Sequence, residues 1–391
     1  MKSVCAVTGT RAEYGLLRLL LEELSSSKNI NLQLLVTGTH LSQKHGFTYK
    51  EIEADGFSID WKVNMLDEGN DAVALTKAMG KALSGFADAY AALKPDIVVL
   101  VGDRYEILMA AVAAMMASIP IAHIHGGEVT EGAIDEAIRH SVTKMAHLHF
   151  VASEEYKARV IQLGEDVRRI HLVGGLGVDS IKKISLLSKD ELEEKIDFKF
   201  GKRNLLVTFH PVTLENKSIE YQIDELLAAL DVLNETHIIF TMPNADPQSD
   251  LIRNRLDQFA STRANVKIYE SLGQLKYFSI IPFVDAVVGN SSSGLLEVPS
   301  FKKPTINIGS RQNGRLKASS VIDCSADRVS IIGAIKSVYS SDFQDVLKNT
   351  INPYGTGGAS KLIAEILERI DVDGLLVKEF NDIPFESFGA N

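Results

Sequence analysis

Cysteine is almost missing from this chain: Cys5 and Cys324 are the whole supply in 391 residues. Two thiols so far apart leave no disulfide framework and no zinc ribbon to organise the fold. Positive charge is short too. Lys and Arg number 41 against 51 Asp and Glu, a formal net charge of −10. That sign argues against nucleic acid or an anionic membrane surface as partner, so an anionic ligand has to be held by a local pocket. Long apolar runs are also wanting. The longest, Ile107 to Ile124, is broken by Ser118 and Pro120 and ends in histidines; it reads as a buried helix and then a strand, not a membrane span. The start, Met1-Lys2-Ser3, leads into an apolar strand too short for a signal-peptide core. Low-complexity tracts are not seen. The expectation is a cytoplasmic protein.

What is present is an ordinary globular balance, 45% hydrophobic and 24% charged, at a length comfortable for two cores. Strand and helix patterns alternate. Ser3–Val7, Asn31–Val36, Ile97–Val101, Pro120–Ile124, Leu148–Val151 and Ile170–Val173 read as strands. Leu16–Leu24, Val73–Leu93, Ile107–Ile119, Ile134–Ala146 and Glu155–Leu163 read as the helices between them. The unbroken apolar character of Ile97–Val101 suits a strand covered on both faces of a parallel sheet. Gly174–Gly177 and the charged run Lys189–Lys195 read as a linker region. The alternation then restarts with Leu205–Phe209 and runs through His237–Thr241, Val266–Ile268, Ala286–Val288 and Pro304–Ile308. The helical patterns here are Ile219–Leu233, Leu251–Phe259, Leu275–Val284 and a helix after Ser293, with Ala359–Ile370 as a last helix. The fold class is therefore α/β, with two doubly wound Rossmann-like domains facing a central cleft. The expected boundaries are 1–177, 178–353, and a C-terminal helix and tail over 354–391 that packs back on the first domain.

Ligands of such sheets sit beyond the carboxyl ends of the strands, and the polar residues gather there. Gly289-Asn290-Ser291-Ser292-Ser293-Gly294 lies where a buried strand meets a helix. Small residues and free first-turn amides at such a point suit a diphosphate. Glu297, about a turn later, is placed to accept hydrogen bonds from ribose hydroxyls. Arg11 in Thr8-Gly-Thr-Arg11 offers a fork of donors to phosphate, and Arg311 and Arg315 follow another strand end. Asp103 ends the strongest strand, and either caps the next helix or aims a carboxylate at the ligand. His123-Ile-His125-Gly-Gly-Glu128 ends the next strand, where alternation puts His123 and His125 on one face. With Asp103 these histidines give only a weak metal pattern, since no further ligand stands at a telling spacing. No metal or cofactor is expected. Asp135 opens a helix, and His210 ends the first strand of the second domain, where an imidazole can serve a departing phosphate.

Taken in order, TGTRAEYG, GDRYE, HIHGGE, the DEAIRHSxTK helix start, FHPVT, GNSSSGLLEVPS and INIGSRQxGR resemble the hydrolysing UDP-N-acetylglucosamine 2-epimerases of sialic acid biosynthesis. The resemblance covers nearly the whole chain and weakens after about Pro353. It implies a glycosyltransferase-B-like fold, a homodimer or homotetramer, and conversion of UDP-N-acetylglucosamine and water to N-acetylmannosamine and UDP. It implies that Arg11, Ser291, Ser292, Glu297 and Arg311, with Asn290 in the same turn, hold UDP. Asp103, Asp135 and His210 would carry or support the chemistry. One position departs. Many members of that family have a catalytic Glu at the third residue of the HIxGGE motif, and here it is His125. Either His125 takes the acid–base role, or Glu128 or Glu136 does, or the sugar differs. The implied route is elimination of UDP through a 2-acetamidoglucal, with Asp103 or Asp135 removing H2 and His125 or Glu128 activating the water that adds next. The rivals are a UDP-2,4-diacetamido-trideoxyhexose substrate, a non-hydrolysing epimerase, a glycosyltransferase of the same architecture, and a non-catalytic UDP-sugar sensor.

Overall fold

Short runs of Val, Ile, Leu and Ala, most closed by Gly, Thr or a charged turn, make the strands of this protein. A computed structural model describes residues 1–67, 71–130, 134–211, 218–242 and 249–383. The chain divides into two compact units. One holds Met1–Val129, Ala133–Ser180 and the chain from Gly357 on; the other centres on Ile181–Thr356.

The first unit is built on seven strands: β1 (Lys2–Thr8), β2 (Ile30–Val36), β3 (Trp61–Lys62), β4 (Ile97–Val101), β5 (Ile121–Ile124), β6 (Leu148–Val151) and β7 (Ile170–Leu172). They lie in the order β3-β2-β1-β4-β5-β6-β7, and every pairing is parallel. Helices cover both faces. One layer packs the helices Arg11–Ser26 and Ala359–Arg369 on the sheet, and the other packs Ala72–Leu93 and Tyr105–Met116. β4 and β5 are buried throughout because both faces are covered, which is why they show no polar alternation. The second unit has β8 (Arg203–Thr208), β9 (Thr236–Thr241), β10 (Val266–Tyr269), β11 (Ala286–Gly289), β12 (Thr305–Ile308) and β13 (Val321–Cys324). Their order is β10-β9-β8-β11-β12-β13, again all parallel.

Each sheet reverses its strand order once. The reversals fall between β1 and β4 in the first unit and between β8 and β11 in the second. Loops on the two sides of a reversal leave in opposite directions and open a crevice at the strand ends. Arg11 and Asp103 follow β1 and β4, and His210 and Asn290 follow β8 and β11.

Several sequence expectations need correction. Residues read as a linker form two helices, Leu176–Lys183 and Lys189–Ile196. Leu192 and Ile196 are apolar positions four apart that join a core, and Ser188 with Glu191 makes a capping box ahead of them. Leu275–Val284 is a helix, Gly273–Ile280, followed by a turn of 3-10 helix. The helix Tyr105–Met116 begins two residues early and stops before Ser118, which has φ +55°. Strands β3 and β13 and the helices Tyr49–Ala54, Arg328–Val338 and Ser341–Lys348 were not anticipated. Among the described residues no helix is long and apolar enough to cross a membrane.

Candidate functional site

In the first unit the site grows from one buried cation. Arg139, on the helix Ile134–Met145, is only 1% exposed. A buried guanidinium must be matched by acceptors, and here they come from three segments. It donates to Asp103, two residues beyond β4. It also donates to Glu136 Oε2 (2.8 Å), one helical turn back, and to the main-chain carbonyl of Glu128 (3.0 Å). Glu136 in turn meets His140 Nε2 at 3.0 Å. Burial lifts the Asp103 carboxyl above its ordinary range, with Arg139 opposing and the charges of Asp135 and Glu128 adding to the rise. Asp135 is in the first turn of the Arg139 helix, near enough for its charge to act on Asp103. Asp103, Glu128, Asp135 and Glu136 therefore share one neighbourhood around a single cation.

The two histidines of HIHGGE part company, contrary to the expectation from alternation. His123 lies inside β5, fully buried. Its Nε2–H donates to the Gly102 carbonyl (2.8 Å), and the Thr143 hydroxyl stands 3.1 Å from Nδ1. Burial pushes its pKa down to about 3, so it is a neutral peg between β4 and β5. β5 ends at Ile124, and His125 takes φ +67°, where a side chain is costly. The turn swings its ring to Glu128, with Nδ1 2.5 Å from Oε1, while the Leu176 amide stands 3.4 Å from Nε2. Gly127 makes the bend possible. It has φ +78°, and a Cβ there would lie 2.4 Å from the Tyr156 carbonyl oxygen. Arg11 begins the helix after β1 and its Nε pairs with Glu51 at 3.1 Å.

The second unit gathers its residues at the β8–β11 reversal. Asn290 has no exposure. Its Oδ1 accepts from the His210 amide (2.7 Å) and its Nδ2 donates to the His210 carbonyl (2.9 Å). The side chain is thus a clasp between the loops after β8 and β11. Its main-chain carbonyl accepts from Arg311 Nη1 (3.0 Å) and Gln312 Nε2 (2.8 Å), so the loop after β12 is tied to the same residue. His210 is buried beside Arg311, and both effects push its pKa down to about 4, burial more. It stands as a neutral imidazole at pH 7. Val212 and Thr213 of FHPVT lie outside the described residues. Ser291 and Ser292 are partly exposed at the start of a four-residue helix, Ser293–Leu296. Glu297 follows, its carboxylate accepting from the Ser293 hydroxyl and lifted above its ordinary range by burial.

Sequence reasoning missed Arg139 as the centre of the first cluster and Gln312 as a tie in the second. Arg139 had a readable signal. It stands three and four residues after Glu136 and Asp135, spacing that brings them to one helical face. Gln312 had none. Among the described residues no group of three or more His, Cys, Asp or Glu side chains is arranged to hold a metal.

A family model described as UDP-N-acetylglucosamine 2-epimerase matches residues 22–368. The chain belongs to that family. It is 42% identical over 384 residues to a Campylobacter jejuni protein named GDP/UDP-N,N'-diacetylbacillosamine 2-epimerase (hydrolyzing), covering 98% of this chain and 99% of the relative. It is 40% identical to polysialic acid biosynthesis protein P7 of Escherichia coli, with 98% of each chain covered. The structure of the family's UDP-GlcNAc 2-epimerase from Neisseria meningitidis, bound to UDP-GlcNAc, superposes with a TM-score of 0.73 over 94% of this chain and 100% of that one. At 20% identity, that likeness speaks for the fold alone.

Proposed function

We propose that the chain is a hydrolysing UDP-sugar 2-epimerase that acts on a 2-acetamido sugar. The observation that carries the reading is the cluster around buried Arg139 in the first unit, where the Asp103 and Glu136 carboxylates and the Glu128 main-chain carbonyl accept from it. Epimerisation at C2 removes a proton from an unactivated carbon. It becomes feasible when the C1–O bond to UDP breaks in the same process. UDP leaves with the electron pair of that bond, a base takes H2, and a C1–C2 double bond remains in a 2-acetamidoglucal. Water then adds its oxygen to C1, and C2 receives a proton on its other face. The base needs a pKa raised toward neutrality. Burial raises Asp103 above the ordinary carboxylate range, which strengthens it as a base, and Asp135 is its neighbour. The leaving diphosphate is assigned to Ser291, Ser292 and Arg311 of the second unit, with neutral His210 as a hydrogen-bond donor. Glu297 is assigned to the ribose hydroxyls.

Hydrolysis is favoured over return of UDP to C1 by the 42% identical relative, whose name carries the word hydrolyzing. The sugar has two candidates. UDP-N,N'-diacetylbacillosamine follows from that relative's name, and UDP-N-acetylglucosamine from the family description. The two differ at C4 and C6. Incubating the protein with each in heavy water, followed by proton and phosphorus NMR, decides both points. Free UDP with deuterium at C2 of the released sugar is expected for one of them. Product without deuterium would remove the elimination route, and no UDP release from either would remove the epimerase reading.

A further inference from the structure

The His125 side chain is held at both ring nitrogens by fixed groups. At Nδ1 stands Oε1 of Glu128 at 2.5 Å. At Nε2 stands the Leu176 amide, at a long 3.4 Å. An amide can only donate, and a carboxylate only accepts. The one neutral tautomer that satisfies both is Nδ1–H with a lone pair on Nε2. The backbone supports this arrangement at a cost, since His125 holds φ +67°. Glu128 is itself anchored, because its main-chain carbonyl accepts from Arg139, which is clasped by Asp103 and Glu136. The imidazole is thus backed by a carboxylate whose position depends on the same cation that holds Asp103.

We propose that Glu128 is a positioning residue which fixes His125 as the Nδ1–H tautomer, so that Nε2 accepts the proton of the water that adds to C1. The proposal rests on the epimerase reading and deepens it. In this step the π electrons of the C1–C2 bond take up a proton at C2 from a carboxylic acid of the site. A lone pair of water forms the C1–O bond, and the displaced water proton goes to Nε2. The imidazolium that results is stabilised by Glu128, the logic by which a carboxylate behind a histidine serves other acid–base sites. The 3.4 Å contact with Leu176 is weak enough for water to replace it. A carboxylate alone at position 125 would present its oxygens directly; the imidazole needs the second group to choose which nitrogen is basic.

The titratable and charged groups of this neighbourhood come from several elements. Glu128 lies on its own loop, and Asp103 follows β4. Asp135, Glu136 and Arg139 are on the helix Ile134–Met145, and neutral His123 is on β5. The amino end of the helix Leu176–Lys183 completes the set. Of these, the Asp103 and Glu136 carboxylates accept from Arg139.

The test uses the full chain, with Glu128→Gln, Glu128→Asp and His125→Gln variants. Long-range proton–nitrogen NMR on nitrogen-15-labelled protein identifies the tautomer, and His125→Gln assigns the signal. The wild type is expected to show Nδ1–H, and Glu128→Gln to lose that preference. In turnover, Glu128→Gln should release UDP faster than it forms hydrated sugar, with 2-acetamidoglucal accumulating. Its sugar formation should fall on the order of 10²-fold and its pH profile should shift. Glu128→Asp should recover part of the loss, while UDP affinity is kept in all variants. A wild-type Nε2–H tautomer would overturn the proposal. So would equal loss of UDP release and sugar formation in Glu128→Gln with an unchanged tautomer, which is the pattern of a merely structural residue. If the wild type releases no UDP from either sugar, the epimerase reading falls and the catalytic half of the proposal with it; the spectra still decide whether Glu128 sets the tautomer.

Discussion

Arg139 and Asp103 form a pair in which burial and charge pull in opposite directions. Burial raises the Asp103 carboxyl, and the guanidinium restrains the rise without cancelling it. A carboxylate poised that way suits proton abstraction. Asp103→Asn keeps size and a hydrogen-bond partner for Arg139 but cannot take a proton. It should lower kcat by roughly 10²–10⁴-fold and leave UDP affinity, measured by calorimetry, nearly intact. Equal loss of binding would assign Asp103 to the nucleotide instead. A second buried pair has a different consequence. Glu13 and Glu106 are both buried and converge on Gly9. The Gly9 amide donates to Glu13 Oε2 (2.7 Å), and a Cβ on Gly9 would lie 2.6 Å from Glu106 Cγ. Arg104 pairs with Glu106 at 2.7 Å, while Glu13 Oε1 and Glu106 Oε2 lack hydrogen-bond partners among the described residues. Burial, then the Glu106 charge, raises Glu13 to about 8 from an ordinary 4.5. The folded state then binds more protons than the unfolded one between those values. This contribution is full below pH about 4.5 and declines as pH rises to about 8. Urea midpoints should therefore fall over that window, and Glu13→Gln should flatten the slope. Identical slopes in wild type and variant would mean that Glu13 is already ionised.

At the scale of elements, the two reversals of strand order do most to place polar residues. The turn after β11 is a tight point. Gly289 has φ +133°, and a Cβ there would sit 1.9 Å from the carbonyl oxygen of Thr208 on neighbouring β8. Neither backbone can move without opening the β8–β11 ladder, which pairs Gly289 with Thr208. Gly289→Ala should cost about 3 kcal/mol or more. It should also weaken UDP binding, because the displaced strand end carries Asn290 and the clasp to His210. Chemical denaturation and calorimetry read the two effects separately. An alanine variant of wild-type stability would show that the strands part at little cost. The Thr10–Glu13 capping box around Arg11 is a milder example of local sequence placing a side chain, since it sets where the helix and its arginine begin.

For the whole molecule the decisive feature is that the first unit is not continuous in sequence. The chain leaves it after Ser180 and re-enters at Gly357. Asp179 ties those two points together. Its buried carboxylate accepts from the amides of Gly358 (2.5 Å), Ala359 (3.0 Å) and Ser360 (2.5 Å), capping the helix Ala359–Arg369 from a distance. The other end of that helix is met by Lys2, whose ammonium donates to the Leu367 carbonyl at 2.7 Å. Asp179→Ala leaves three amides without that acceptor and should cost about 3 kcal/mol. Thermal melts measure the loss, and limited proteolysis should find new cleavage near Gly357. If melting is unchanged, water has replaced the carboxylate. Further along, Glu165 is 1% exposed and pairs with Lys144 at 2.8 Å and Lys378 at 2.7 Å, so the segment after the last helix is also bound into this unit.

The parallel sheets and most helix positions could be read from sequence because a strand covered on both faces must be continuously apolar, and a covering helix must repeat its apolar face. The polar strand ends were legible for a related reason: buried sheets leave few other places for Asp103, His210 or the Ser291–Ser292 turn. Helices at 176–183 and 189–196 hid behind glycine and charge, which mark a linker when tertiary burial of Leu192 and Ile196 is unknown. Strand β13 hid because its residues are only partly covered. Tertiary structure alone decided that His123 is an inert peg while His125 turns to Glu128. Period-two alternation holds only while the backbone stays extended, and it ends at φ +67°. The same is true of Arg139 and Asn290. Their roles depend on which loops approach them across a sheet, and that is set by strand order, which a linear pattern of residues does not contain.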